Sequence, residues 1–350
     1  SPTIWHYRNK VDFTFAPMWY PEPPPKDFVR ESVLGFKALG RWYRPLDIDQ
    51  CLIGPDGLSP LLDAMRAWMH EQGLHAMDTR SMKGFLRALL VREGKRTGQR
   101  LVALITGDGD FDKASFVETV QRVFPADSIY RGIFRGRADV AAADETELLC
   151  GQPTIDEVLH VPGTGRDLRF RISPFSFFQT NTLATEILYG RIRQWAADVK
   201  ADTLYDLYGG AGGIAFTCAD LARHIISVES VTSATEDGRY NAQVNGIDNV
   251  DFLTEKVDVY LKQMERIGLA PNSAVVADPP RSGMQAKAVR RLIRLRPSQI
   301  LYVSCKPSVL AEELPSFLEH YDLRHIQAVD LFPHTEHVEV LAQLSCRSEL

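Results

Sequence analysis

Ser273-Ala274-Val275-Val276-Ala277-Asp278-Pro279-Pro280-Arg281 is a mostly apolar run closed by an acid, two prolines and a base. A second run, Gln299-Ile300-Leu301-Tyr302-Val303-Ser304, ends in Cys305-Lys306-Pro307. Short apolar runs closed by turn residues read as strands covered on both faces, which is the habit of parallel sheets. Open parallel sheets bind their ligands at the carboxyl ends of the strands. Asp278 and Cys305 are therefore expected side by side at one mouth of such a sheet.

The same rhythm extends outward in both directions. Residues 203–207, 224–228 and 250–254 read as strands, with helices at 182–199, 232–245 and 258–267 between or before them. Helices at 286–295 and 309–320 follow. The ending differs, because runs at 323–331 and 338–344 are joined by a turn around His334-Thr335-Glu336-His337, too short for a crossover helix. They must form an antiparallel pair. The predicted fold class is α/β: a Rossmann-like sheet of the S-adenosylmethionine (SAM)-dependent methyltransferase type, closed by a C-terminal antiparallel hairpin. A smaller N-terminal α+β domain precedes it, with domains drawn at residues 1–165 and 166–350.

In the N-terminal part, residues 5–15 and 33–43 are each expected to be a strand. Leu61, Leu62, Met65, Trp68 and Met69 share one face of a helix over 58–72, with Ser59 as its N-cap. Two strands lie between 86 and 105, and a helix at 111–124. Strands at 154–159 and 168–172 lead into Ser173-Pro174-Phe175-Ser176-Phe177-Phe178-Gln179-Thr180-Asn181. Arg80, Lys83, Arg87, Arg92, Lys95, Arg96 and Arg100 face one acid, Glu93, in the same span, and Arg131, Arg135 and Arg137 follow. Such runs are ordinarily solvated surfaces; the sharper reading is a phosphate-contacting face.

The chain has 350 residues and a formal charge of −5, which argues against a globally basic nucleic-acid binder but leaves room for a local basic face. No run is long enough to span a membrane and no signal peptide is recognisable. The five cysteines, Cys51, Cys150, Cys218, Cys305 and Cys346, are scattered, without metal-ligand spacing. Free thiols in a reducing cytoplasm and no metal site are expected.

Chemistry concentrates in three places. Asp206-Leu207-Tyr208-Gly209-Gly210-Ala211-Gly212-Gly213 follows a strand, where glycines let backbone approach a ligand. Gly210, Gly212 and Ala215 leave a dinucleotide site open by spacing. Glu229, about 20 residues on, ends the next strand, where a carboxylate accepts ribose hydroxyls. Cys305 is the third. A lone cysteine is usually a buried core thiol. This one ends a strand and faces Asp278 from the neighbouring strand; it also precedes Lys306 and a helix N-terminus, which suit a thiolate.

These motifs together resemble the RNA (uracil-C5)-methyltransferases, which make 5-methyluridine in tRNA or 23S rRNA. The resemblance runs from Tyr7-Arg8-Asn9-Lys10 through the 173–181 segment, the glycine turn, Asp278-Pro279-Pro280-Arg281 and Ser304-Cys305-Lys306-Pro307. It ends at Phe332-Pro333-His334-Thr335-Glu336-His337-Val338-Glu339. It implies that Cys305 adds to uracil C6 and that Glu339 removes the C5 proton. It also implies that Tyr208, Gly210, Gly213, Glu229 and Asp278 serve SAM, and that Gln179 contacts the donor or the uracil. The departures are Lys306 and Gly213, where the family often has Asn, and Lys256, beside Glu255, at a polar cofactor position. Many members hold a [4Fe–4S] cluster through four cysteines; Cys51 resembles the fourth, and the other three would lie upstream of Tyr7. No cluster is expected in this chain. The implied partner is RNA, either rRNA or tRNA, met by a monomer in the cytoplasm and away from any membrane, with residues 1–165 helping to grip it. Two readings compete: cytosine-C5 methylation of RNA by the same covalent chemistry, and an RNA-binding module with a degenerate cofactor site.

Overall fold

Lys10–Pro17 alternates so that Val11, Phe13 and Phe15 turn to one side and are buried, as a half-covered strand requires. This is β1 in a computed structural model that describes residues 1–350 except 23, 24, 26, 27, 29, 139 and 348–350. The chain divides into two units, one of Trp5–Glu157 with Ile172–Phe175, the other of Ser1–Ile4, Val158–Arg171 and Ser176–Leu350.

The first unit continues with β2 (Ser32–Ala38), β3 (Arg41–Asp47), α1 (Leu58–Glu71), β4 (Leu86–Glu93), β5 (Arg100–Thr106), α2 (Lys113–Val123), β6 (Ser128–Ile133) and β7 (Glu145–Gly151). Its sheet has the order β3-β2-β1-β4-β5-β6-β7. Only β5 and β6 run parallel, with α2 as the crossover between them. The expected apolar face of α1 is buried, and Trp68 packs against Phe116 of α2.

Three local expectations are corrected. Residues 33–43 are not one strand but the β2–β3 hairpin, because Gly40 takes a φ of 69° and turns the chain. Ser59 does not cap α1; Gly57 does, at a φ of 86° and without a side-chain bond. The span between α2 and residue 154 holds two strands, β6 and β7, that the sequence pattern does not show.

The basic run also reads differently in three dimensions. Arg87, Arg92 and Arg131 are buried. Arg87 donates to the carbonyls of Gly136 and Ala138, and Arg131 to Thr106 Oγ1 and the Gly109 carbonyl. Lys95 and Arg100 pair with Glu93, and Arg135 pairs with Asp108 and Glu145. Much of this charge serves the unit's interior and its turns, so the run as a whole is not a phosphate face.

In the chain's second half, β8 (Ile155–Leu159) and β9 (Leu168–Ile172) pair as a ribbon before α3 (Thr182–Ala196). There follow β10 (Thr203–Leu207), α4 (Gly213–Thr217), β11 (His224–Glu229), α5 (Thr232–Val244), β12 (Val250–Thr254), α6 (Val257–Ile267) and β13 (Ser273–Ala277). Then come α7 (Ala286–Leu295), β14 (Gln299–Ser304), α8 (Pro307–Leu318), β15 (Tyr321–Val329) and β16 (Glu339–Cys346). The sheet order is β12-β11-β10-β13-β14-β16-β15, with β16 antiparallel between its neighbours, as the expected hairpin requires. Both faces are covered: Leu204 and Val276 belong to one apolar core, Tyr205 and Val275 to the other. The chain leaves β10 toward β11 on one side and returns to β13 on the other. That switch point opens a crevice at the carboxyl ends of β10 and β13.

Candidate active site

The crevice is built from backbone first. Beyond β10 the N–H groups of Tyr208 and Gly209 donate to the Val228 carbonyl of β11, at 2.9 and 3.1 Å. A Cβ on Gly209 would lie 2.0 Å from Ser227 Oγ, so a side chain there would have to displace that hydroxyl. Tyr208 itself sits at a φ of 64°, a conformation that side-chain-bearing residues seldom adopt. It turns the ring into a small hollow lined also by Gln179, Tyr189, Gly210, Gly213 and Asp278.

Five of the six expected cofactor residues thus meet in one hollow. Glu229, the sixth, accepts the Gly210 N–H at 3.2 Å and the Val231 N–H at 2.8 Å, so it is tied to the same turn through its carboxylate. Gln179 is placed from the opposite side. Asn181 accepts the Ala184 N–H as the N-cap of α3 and donates to the Leu331 carbonyl at 2.9 Å, anchoring the segment. Gln179 Nε2 then donates to Asp278 Oδ2 at 3.2 Å. At Gly213 a Cβ would lie 2.6 Å from the Tyr189 hydroxyl, so a phenol from α3 fills the space that a side chain there would need. Lys256 is exposed at the N-terminus of α6 and does not line the hollow.

Three of the expected site residues stand at the ends of three neighbouring strands. Asp278 follows β13, Cys305 follows β14, and Glu339 opens β16. The last pair between β14 and β16 is Ser304 with Val340, which leaves Cys305 and Glu339 adjacent one step beyond it. Glu339 is 3% exposed, and its Oε2 has no hydrogen-bond partner among the described residues. Burial, and then the charge of Asp278, push its carboxyl up to about 8. Asp278 keeps some solvent access, yet burial lifts it to about 7 against the restraint of the Gln179 amide. Asp206, fully buried at the end of β10, is lifted to about 7 by burial and by Asp278. Three carboxyls that resist ionisation in one cleft form a site that favours a cationic ligand.

The Cys305 thiol departs from expectation. Burial raises its pKa, and the charges of Glu339 and Asp278 raise it further. The cation that pulls it down is Arg281, not Lys306, whose side chain is exposed and whose residue caps α8. Arg281 nitrogens lie 3.3 Å from both ring nitrogens of His337, on the turn that leads to Glu339. Arg281, Tyr189 and Asp206 carry no assigned role in the sequence reading. Asp206 and Arg281 stand inside quoted motifs; Tyr189 lies on α3 with no local signal.

Comparison with known proteins finds similarity to RNA methyltransferases. A family model described as tRNA (Uracil-5-)-methyltransferase matches residues 138–346. An uncharacterized RNA methyltransferase of Caldanaerobacter subterraneus is 32% identical over 350 residues, covering 98% of this chain and 73% of its own length. One from Oceanobacillus iheyensis is 33% identical over 347 residues, covering 98% and 72%. Among solved structures, the Pyrococcus abyssi tRNA (uracil-54, C5)-methyltransferase in complex with S-adenosyl-L-homocysteine matches with a TM-score of 0.76 and 28% identity. That match covers 98% of this chain and 77% of the other.

Proposed function

The chain belongs to the tRNA (uracil-5-)-methyltransferase family, and on that premise we propose that it methylates C5 of a uridine in RNA through a covalent bond to Cys305. The observation that carries the reading is the juxtaposition of Cys305 with Glu339 and Asp278 across β14, β16 and β13. SAM fits the glycine turn and the crowded carboxyls of Asp206, Asp278 and Glu339, and when bound it supplies an electrophilic methyl group for C5.

The chain's own residues do the rest. Uracil C5 is a weak nucleophile until a thiolate adds to C6. Cys305, which is only part-buried, loses its proton to solvent; the thiolate Sγ bonds to C6, and the displaced π electrons make C5 enolate-like. After C5 is methylated, Glu339 accepts the C5 proton, the C–H electrons re-form the C5–C6 double bond, and Sγ leaves. A carboxyl with a pKa of about 8 is mostly neutral at pH 7. Its neutral form spares Cys305 a facing negative charge, and its anionic form is the one that takes a proton. Asp278, held by Gln179, and the backbone of Gly209 and Gly210 orient the donor. The target uridine has to be unstacked from its RNA to reach this cleft.

The test is RNA carrying 5-fluorouridine, in tRNA and in 23S rRNA fragments, with SAM. Fluorine at C5 cannot leave as a proton, so the reaction stalls as a denaturation-resistant adduct. An adduct with one RNA, absent in Cys305→Ala, supports the mechanism and identifies the substrate class. The solved relative's tRNA uridine is the first to try. SAM binding with no adduct on either RNA would point to another substrate, and methylation of ordinary RNA without an adduct on its 5-fluorouridine form would refute the covalent step. The same reading has a cytoplasmic monomer of 39.3 kDa, which light scattering checks. Among the described residues no helix is long and apolar enough to cross a membrane.

A further inference from the structure

The first unit carries a hollow of about 340 Å³ at the β3 edge of its sheet. That size is in the range of small-ligand sites, roughly 300–1,000 Å³. Its construction is local. Lys37 pairs across the hairpin with Pro45, so Lys37, Tyr43 and Pro45 project to one face by strand alternation, and all three line the hollow. Met18 N–H donates to the Glu31 carbonyl at 2.7 Å, prolonging the β1–β2 ladder to the point where Trp19 and Tyr20 emerge. The far wall is a tight turn at residues 77–80. Asp78 Oδ1 accepts the Arg80 N–H and Oδ2 accepts the Ser81 hydroxyl, each at 2.9 Å.

Two features make this more than a surface dent. Trp19 is 36% exposed and Tyr43 45%, and the Arg44 guanidinium lies 5.1 Å from the centre of the Trp19 ring. The lining cations are Arg30, Lys37 and Arg80, against one lining acid, Asp78, whose charge acts on Arg30. Burial lowers the pKa of Lys37, so an anion nearby would favour its charged form. Exposed rings among cations, on a chain of net charge −5, match the way proteins hold single-stranded nucleic acid: bases on aromatic faces, backbone on the positive groups.

The geometry points to a second RNA site: this hollow takes a nucleotide of single-stranded RNA other than the target uridine. Its base stacks against Trp19 or Tyr43, and its phosphate lies among Lys37, Arg30 and Arg80. The inference rests on the proposal that the substrate is RNA.

The experiment uses the whole chain with Trp19→Ala, Tyr43→Ala, Lys37→Ala and the conservative Trp19→Phe. Binding of a fluorescent oligo(A), which has no uridine to methylate, is measured by anisotropy over a salt series, together with steady-state methylation of substrate RNA. At least one of the aromatic-to-Ala changes, the one that removes the stacking ring, should weaken oligo(A) binding about 10-fold and raise KM for RNA similarly. SAM affinity and kcat should stay as in the wild type, and Trp19→Phe should bind normally. Lys37→Ala should lower the slope of log K against log salt by about 0.7, the value for one single-strand phosphate contact. Variants that bind oligo(A) with wild-type affinity and salt slope, while the wild type binds and methylates RNA, overturn this site and leave the proposed function standing. An acidic peptide that competes where oligo(A) does not also overturns it, in favour of a protein partner. A wild type that binds and methylates no RNA removes both readings.

Discussion

Buried charge in the first unit and in the cleft of the second is handled in opposite ways, although elsewhere the second unit also pairs its buried Asp237 with Arg171. In the first, Arg131 lies between Thr106 Oγ1, the Gly109 carbonyl and the Phe111 ring, and Glu157 accepts the N–H groups of Lys95 and Arg96. Both of these interior charges meet groups that complement them, and the result is a held turn or a closed sheet end. In the second, Asp206, Asp278 and Glu339 are crowded at adjoining strand ends, and each is pushed toward its neutral form. Complemented charge holds a fold; like charges gathered in a cleft oppose it and mark where a ligand or a reaction is to supply what is missing. Arg281 is the second unit's own partial answer, placed where it acts on Cys305.

Substitutions should separate the two kinds of site. The largest effect is expected for Cys305→Ala, which should lower methylation by at least about 10⁴-fold, since no other group takes over a nucleophile's bond. Its urea midpoint should match the wild type; a large loss of stability would make Cys305 a core thiol instead. Glu339→Gln should cost about 10³-fold in kcat, the scale of a lost general base, and leave a trapped adduct on ordinary uridine. The wild-type rate should climb as pH rises through about 8, as the Glu339 carboxylate forms, and a profile flat from pH 6 to 9 would remove it as the base. Arg131→Ala should destabilise the first unit by about 3 kcal/mol, because buried acceptors lose their donor. Methylation per folded molecule should not change, and a selective loss of kcat would erase the contrast between the units.

The smallest effect concerns pH and the fold. The folded chain keeps protons on Asp206, Asp278 and Glu339 that the unfolded chain gives up above about pH 4. Their contribution to stability is complete below about pH 4 and is lost as pH rises from there through 7 to 8. Asp206→Asn should remove part of that decline, a gain on the order of 1–2 kcal/mol at pH 8, visible as a higher Tm there and a much smaller shift at about pH 4. Equal Tm shifts at both pH values would mean that Asp206 is not held neutral.

How far the sequence reveals these features depends on whether a signal is local. The run from β10 to β16 was legible because its strands are short, apolar and separated by helices, and because the glycine turn, Asp278 and Cys305 punctuate their ends. The β6 and β7 strands were not. Tyr130-Arg131-Gly132 lies in a buried strand but reads as basic, and Glu145–Gly151 is an edge strand with mostly exposed side chains and no alternation. Gly57 caps α1 through backbone conformation alone, while the more obvious Ser59 lies within the helix. Chain adjacency suggested Lys306 as the partner of Cys305; the cation that acts on the thiol comes from the neighbouring strand's end. Tyr189 filling the space at Gly213 joins residues from two helices and leaves no trace in either segment.

Tyr208 gives the chain a record of competing pressures. An aromatic residue at a φ of 64° costs on the order of 1 kcal/mol that glycine would not. A library varied at position 208 and sorted only for resistance to heat or protease should therefore drift toward glycine, with asparagine next. The same library sorted for RNA methylation should keep a ring. Two such selections would read out, at a single codon, how much folding advantage the catalytic crevice forgoes.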